Sequence, residues 1–209
     1  MDFTAERKAL VDSQVRVNDV TNHEIHMAMM EVPRERYCAP DRVFAAYSDA
    51  SVEIAGDRKL MPARDVSKLL QAADAREGEK ALAIAAPYAA AVLARMGLTV
   101  TAQEADRAVF DVVGEALAED GVATAVSPLA SPVGENWDLI VCEGGVAALP
   151  DAWGEALRTG GRLVVVERRS AIGKAALYVK GREGLSRREL FDSSPALLAE
   201  LTPAPTFAL

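Results

Sequence analysis

An α/β fold built on one mostly parallel sheet is predicted by three observations. Apolar runs recur at residues 81–85, 98–102, 122–126, 137–142 and 162–167. Helical stretches at 87–96, 106–119 and about 150–158 alternate strictly with them. The runs are apolar throughout, as strands are when helices cover both faces of a sheet.

The elements follow in order. Residues 4–17 are expected to form a first helix with Thr4 as its N-cap. A second begins at Thr21-Asn-His-Glu24, which has the form of a capping box. Ile25, Ala28, Met29 and Val32 continue it at helical spacing and Pro33 ends it. His23 and His26 stand about one turn apart but have no evident acidic or thiol partner. They are therefore expected to be surface or helix-end histidines, not metal ligands. Residues 33–62 look irregular, with a short helical piece near 42–47 and no clear period over 48–62. A helix over 63–75 carries Val66, Leu69 and Leu70 on one face. Gly160-Gly161 is expected to close the last helix. Residues 175–180 and 185–191, separated by Gly181-Arg-Glu-Gly184, predict an antiparallel hairpin added to the sheet. Pro203-Ala-Pro-Thr206 is expected to be extended. The sum is a Rossmann-like, doubly wound sheet of about seven strands in one domain, with residues 63–209 as its core. Residues 1–62 form a helical N-terminal extension.

Composition narrows the function. The 209 residues are 50% hydrophobic and 26% charged, which suits a globular chain with a full core. A net charge of −8 argues against nucleic acid or anionic membrane as a partner, since both need clustered Lys and Arg. No apolar run approaches the roughly 18 residues of a membrane span. The opening Met-Asp-Phe-Thr-Ala-Glu lacks the basic and apolar segments of a signal peptide. Cys38 and Cys142 lie far apart, in no metal or redox spacing, so a reducing, cytoplasmic setting is expected.

Several segments together resemble the protein-L-isoaspartate O-methyltransferase family. They are Asp12-Ser-Gln-Val-Arg16 with Asn18-Asp-Val20, Val32-Pro-Arg-Glu-Arg-Tyr37, Ala45-Ala-Tyr-Ser-Asp49, Trp137-Asp-Leu-Ile-Val-Cys-Glu-Gly144 and Gly160-Gly-Arg-Leu-Val-Val-Val166. Leu185-Ser-Arg-Arg-Glu-Leu-Phe-Asp192 is similar to the C-terminal strand of a bacterial subgroup. The resemblance implies the class I methyltransferase fold, S-adenosylmethionine as cofactor, no metal, and carboxyl methylation of isoaspartyl residues.

The cofactor turn departs from that pattern. In the family an aspartate ends the first core strand and leads into a D-x-G-x-G-x-G loop, whose glycines let the backbone approach the cofactor. Here Ala83 stands at the aspartate position, Ala85 and Ala86 begin the turn, Pro87 follows, and the turn is about two residues shorter. An Ala held left-handed costs about 1–2 kcal/mol, so the loop is expected to take another shape. Losing a charged hydrogen-bond partner costs about 1.5–3 kcal/mol more. Cofactor binding is therefore expected to be lost or weakened. The family's hydroxyl-bearing substrate segment corresponds to Asp57-Arg-Lys-Leu-Met-Pro62, which puts Arg58 and Leu60 at the hydroxyl positions and leaves no catalytic residue to assign. Arg58 or Lys59 could bind a carboxylate, but an exposed basic loop is the expectation.

If the pocket is retained, Glu104 falls where an acid bonds the ribose hydroxyls. Glu143 would line the same edge; alternatively, both acids are ordinary strand-end residues. Two readings follow. One is a family member that keeps the fold and acts through a protein partner, a second copy or an unrecognised ligand. The other is an active methyltransferase with an atypical pocket. A nucleotide binder of another class lacks the Gly-rich phosphate turn it would need.

Overall fold

Two folding patterns meet in the chain, helical at the N-terminal end and strand–helix alternating after it. The computed structural model describes residues 2–202. Helix α1 spans Phe3–Leu10 and runs on through a π-helical turn, Val11–Val15, and a 3-10 turn, Arg16–Asn18. Asp2, not Thr4, is its N-cap, accepting from the backbone N–H groups of Thr4 and Ala5. The cap of helix α2, His23–Glu31, falls one residue later than expected. Asn22 Oδ1 accepts from Glu24 and Ile25, while Thr21 is held by Gln71 Oε1. Asn and Thr are both good N-caps; the bond to Gln71 ties Thr21 to the helix of residues 63–73 instead. Asn22→Ala should cost about 1 kcal/mol in a urea unfolding series.

Residues 33–62 are more regular than their sequence suggests. Short 3-10 helices occupy Arg34–Tyr37 and Pro40–Ala45. Strands β1 (Val52–Ala55) and β2 (Arg58–Leu60) then form an antiparallel hairpin apart from the main sheet. The N-terminal extension is thus not wholly helical. Val52, Ile54, Arg58 and Leu60 point into the protein, and Glu53 and Lys59 point out. Four- and three-residue strands are too short for alternation to stand out against background.

The core elements match their predicted order: α3 (Ala63–Ala73), β3 (Lys80–Ile84), α4 (Pro87–Arg95), β4 (Thr99–Glu104), α5 (Arg107–Glu119), β5 (Ala123–Val126), β6 (Trp137–Val146), α6 (Asp151–Ala156), β7 (Leu157–Glu167), β8 (Gly173–Lys180) and β9 (Leu185–Ser193). The strands form a seven-stranded sheet in the order β5-β4-β3-β6-β7-β8-β9. β3 to β7 pair in parallel, and the β8–β9 hairpin pairs antiparallel to β7. Gly160 and Gly161 lie inside β7 and do not cap α6, which ends at Ala156. Gly160 supplies a left-handed φ of 81°, and the role of Gly161 is steric. A Cβ on Gly161 would stand 2.7 Å from the Trp137 carbonyl oxygen, where β7 is bulged against β6. The expected extended stretch at 203–206 lies outside the described residues.

Helix α4 is buried from Pro87 to Leu93, packed between the sheet and the N-terminal extension. Ala89, Ala90 and Ala91 allow that close approach, which explains the alanine-rich composition of residues 80–97. No helix among the described residues is long and apolar enough to cross a membrane.

Candidate functional site

Strand order reverses direction at β3, with β4 on one side and β6 on the other. In open α/β sheets, ligands bind in the crevice beyond the C-terminal strand ends at this switch point. Here that edge carries Ala85 and Ala86 after β3, Glu104 at the end of β4, and Glu143 within β6.

The turn after β3 is glycine-free and strained. Ala85 is left-handed, with φ at 51°, and its N–H donates to the Gln103 carbonyl at 2.9 Å. Ala86 takes the N-cap position of α4 but supplies no side-chain bond, and Pro87 opens the helix. Glu143 does the capping instead. Its Oε1 accepts from the Ala89 N–H at 2.6 Å, at the positive end of the helix. Ala85 and Ala86 follow the C-terminal end of β3, and Ala83 lies inside the strand between Ala102 and Val141; all three are buried.

Glu104 has a partner from its own chain. Arg58 Nε donates to Glu104 Oε2 at 2.9 Å, and the two side chains are only 4% and 1% exposed. The expected exposed basic loop is correct for Lys59 and fails for Arg58. The physical reason is the β1–β2 register: the hairpin sends alternate residues inward, and Arg58 shares the inward face with Leu60. Glu104 Oε1 and Glu143 Oε2 are buried without partners. Burial raises the Glu104 pKa despite the pull of Arg58, and nearby Glu143 adds to the rise. Burial likewise pushes Glu143 up to about 7, against the Ala89 bond and the charge of Arg34.

The edge is covered from two sides. The hairpin covers β4, with Gly56 beside Asp106 at the start of α5. Residues 195–198 cross β6, where Gly145 donates to Ala196 O and Leu198 donates to Gly145 O. The space left between these covers, beside Met61, Glu143 and Gly144, is about 10 Å³. One water molecule needs about that much.

Three contributors escaped the sequence reading. Arg34 is completely buried; it donates to the Ala46 carbonyl at 2.8 Å and the Met61 carbonyl at 2.5 Å, and lies over the Tyr88 ring. Gln103 holds the loop after β5 through Pro128, Ser131 and Val133. Met61 Sδ accepts from the Gly144 N–H. A buried Arg or Gln carries no periodicity signal, although Arg34 lies inside one of the family-like segments. His23 and His26 differ from each other. His23 is exposed, while His26 is buried with its Nε2 2.7 Å from the Val20 carbonyl oxygen, so the surface expectation holds only for His23. The described residues contain no group of three or more His, Cys, Asp or Glu placed to hold a metal.

A titration follows from Glu143. An unfolded Glu titrates near 4.3, so between there and about 7 the native state binds more protons and stability falls as pH rises. Glu143→Gln should reduce the stability lost between about pH 5 and 7.5 by about 1–2 kcal/mol, measured by urea unfolding across that range.

Known proteins match this fold over most of its length. A family model for protein-L-isoaspartate(D-aspartate) O-methyltransferases matches residues 5–113. Protein-L-isoaspartate O-methyltransferase 1 of Rhodopseudomonas palustris is 31% identical over 78% of this chain and 69% of its own. The Methylorubrum populi protein-L-isoaspartate O-methyltransferase is 29% identical over 94% of this chain and 95% of its own. Among solved structures, one protein-L-isoaspartate O-methyltransferase superposes with a TM-score of 0.74 at 20% identity, over 93% of this chain and 67% of its own. A Plasmodium falciparum structure, a candidate member of the same enzyme group in complex with S-adenosyl-L-homocysteine, reaches 0.78 at 16% identity, over 93% and 98%. These two structures share the fold of this chain. By its sequence, with its sheet and helices in the corresponding order, the chain belongs to the protein-L-isoaspartate O-methyltransferase family.

Proposed function

We propose that this chain is a degenerate member of the family, which keeps the methyltransferase scaffold and has lost or weakened S-adenosylmethionine binding. The observation that carries the reading is the buried ion pair of Arg58 with Glu104. An acid that is to bond ribose hydroxyls must present its oxygens to the crevice, and here one oxygen is bonded to a guanidinium of the same chain. The residues present do not fit an adenosyl group in two further respects. Ala85 and Ala86 place Cβ atoms where glycines would let the backbone approach a ligand, and about 10 Å³ remains beside Glu143.

Function then resides in contacts with a protein partner or a second copy, or in a ligand of another kind. A reducing, cytoplasmic compartment suits two buried free thiols, Cys38 and Cys142. Calorimetric titration with S-adenosylmethionine should give no saturable heat, and micromolar binding would contradict the reading.

A second reading, an active enzyme with an atypical pocket, is favoured by one observation. Both acids of the sheet edge, Glu104 and Glu143, are present, and each has a carboxylate oxygen without a partner. Methyl transfer needs little side-chain chemistry, because the cofactor supplies an activated methyl group and positioning supplies most of the rate. Transfer of a labelled methyl group to an isoaspartyl peptide would establish this second reading.

A further inference from the structure

Arg58 sits in the crevice as a bound cation would. Its guanidinium is almost fully buried and meets Glu104 through Nε alone, while Glu104 Oε1 is buried and unpartnered. The walls around it stand without its help. Val52, Ile54 and Leu60 anchor the hairpin in the core, the N–H of Ala39 donates to the Glu53 carbonyl, and Glu104 ends a strand paired on both sides. One flexible side chain therefore fills a space whose frame is held by other groups.

We propose that the space at Glu104 is a guanidinium-binding site whose resident ligand is the chain's own Arg58. It follows that removal of this side chain leaves a receptor for a small free guanidinium ion. The proposal rests on the reading of the crevice as self-filled. Its physical basis is that a planar guanidinium is more weakly hydrated than a compact ammonium, and so is buried beside a carboxylate at lower cost. A gap cut into a packed wall relaxes only in part, so it keeps much of the shape of the group removed.

The test is the melting temperature of Arg58→Ala with methylguanidinium or methylammonium chloride at equal millimolar concentration. Arg58→Ala should melt several degrees below the unmodified chain. Methylguanidinium should restore several degrees to the variant and none to the unmodified chain, and methylammonium should restore less. Adding Glu104→Gln should abolish the response. Equal shifts in the unmodified chain and the variant, or a shift that survives Glu104→Gln, would overturn the proposal. If Arg58→Ala does not accumulate folded, Arg58→Gln leaves a smaller gap and is judged by the same differential response. A failed rescue leaves the cofactor question untouched, since that is decided on the unmodified chain with S-adenosylmethionine.

Discussion

Glu104→Gln is expected to cost more stability than Arg58→Met, although both cut the same ion pair. Removing the carboxylate leaves a guanidinium buried with no counter-charge. A guanidinium cannot escape by deprotonation, so the loss should be about 3–5 kcal/mol. Removing the guanidinium leaves a carboxyl group that can take up a proton. Its pKa is already raised by burial, and losing Arg58 removes the chief force holding it down. Arg58→Met should therefore cost only about 1–2 kcal/mol near neutral pH, while leaving a well-filled volume. The double variant should be more stable than Glu104→Gln alone, because no charge is then stranded. A urea-denaturation cycle of the four proteins checks the order. If the two single variants lose the same amount, the asymmetry argument fails.

Arg34→Met should destabilise by a comparable amount, about 3–5 kcal/mol, through a different mechanism. Its guanidinium bonds two buried carbonyl groups, Ala46 O in the N-terminal extension and Met61 O at the entrance to α3. It also lies 4.6 Å from the centre of the Tyr88 ring in α4. A methionine fills much of the volume but offers no donor, so both carbonyls are orphaned at about 1–3 kcal/mol each. The cation–π contact with Tyr88 is lost as well. Thermal unfolding would measure the loss. Amide exchange should show residues 34–62 opening first, because Arg34 links the extension to the core.

The comparison of sequence with structure separates patterned elements from individual contacts. The parallel strands and their helices were legible because several apolar residues in a row report burial on both sheet faces. The hairpin at Val52–Leu60 was not, since two short strands offer too few positions to establish a period. Capping residues were displaced by one or two positions for a related reason. Asp2 and Thr4 are both good caps two positions apart, Thr21 and Asn22 are adjacent ones, and for the second pair the tertiary partner Gln71 holds Thr21.

At the site, the expectation that the glycine-free turn takes another shape to avoid a left-handed alanine fails, because Ala85 takes φ at 51°. Arg58 was underestimated for a sharper reason. Its burial depends on Glu104, which lies 46 residues away and on a different element. Nothing local to Arg58 announces that pairing.

The most direct measurement is an isothermal titration of the unmodified chain with S-adenosylmethionine near neutral pH. A crevice closed by Arg58 predicts dilution heats alone up to millimolar cofactor. Saturable binding in the micromolar range would contradict it, because the adenosyl group could then reach Glu104 only by displacing a buried guanidinium.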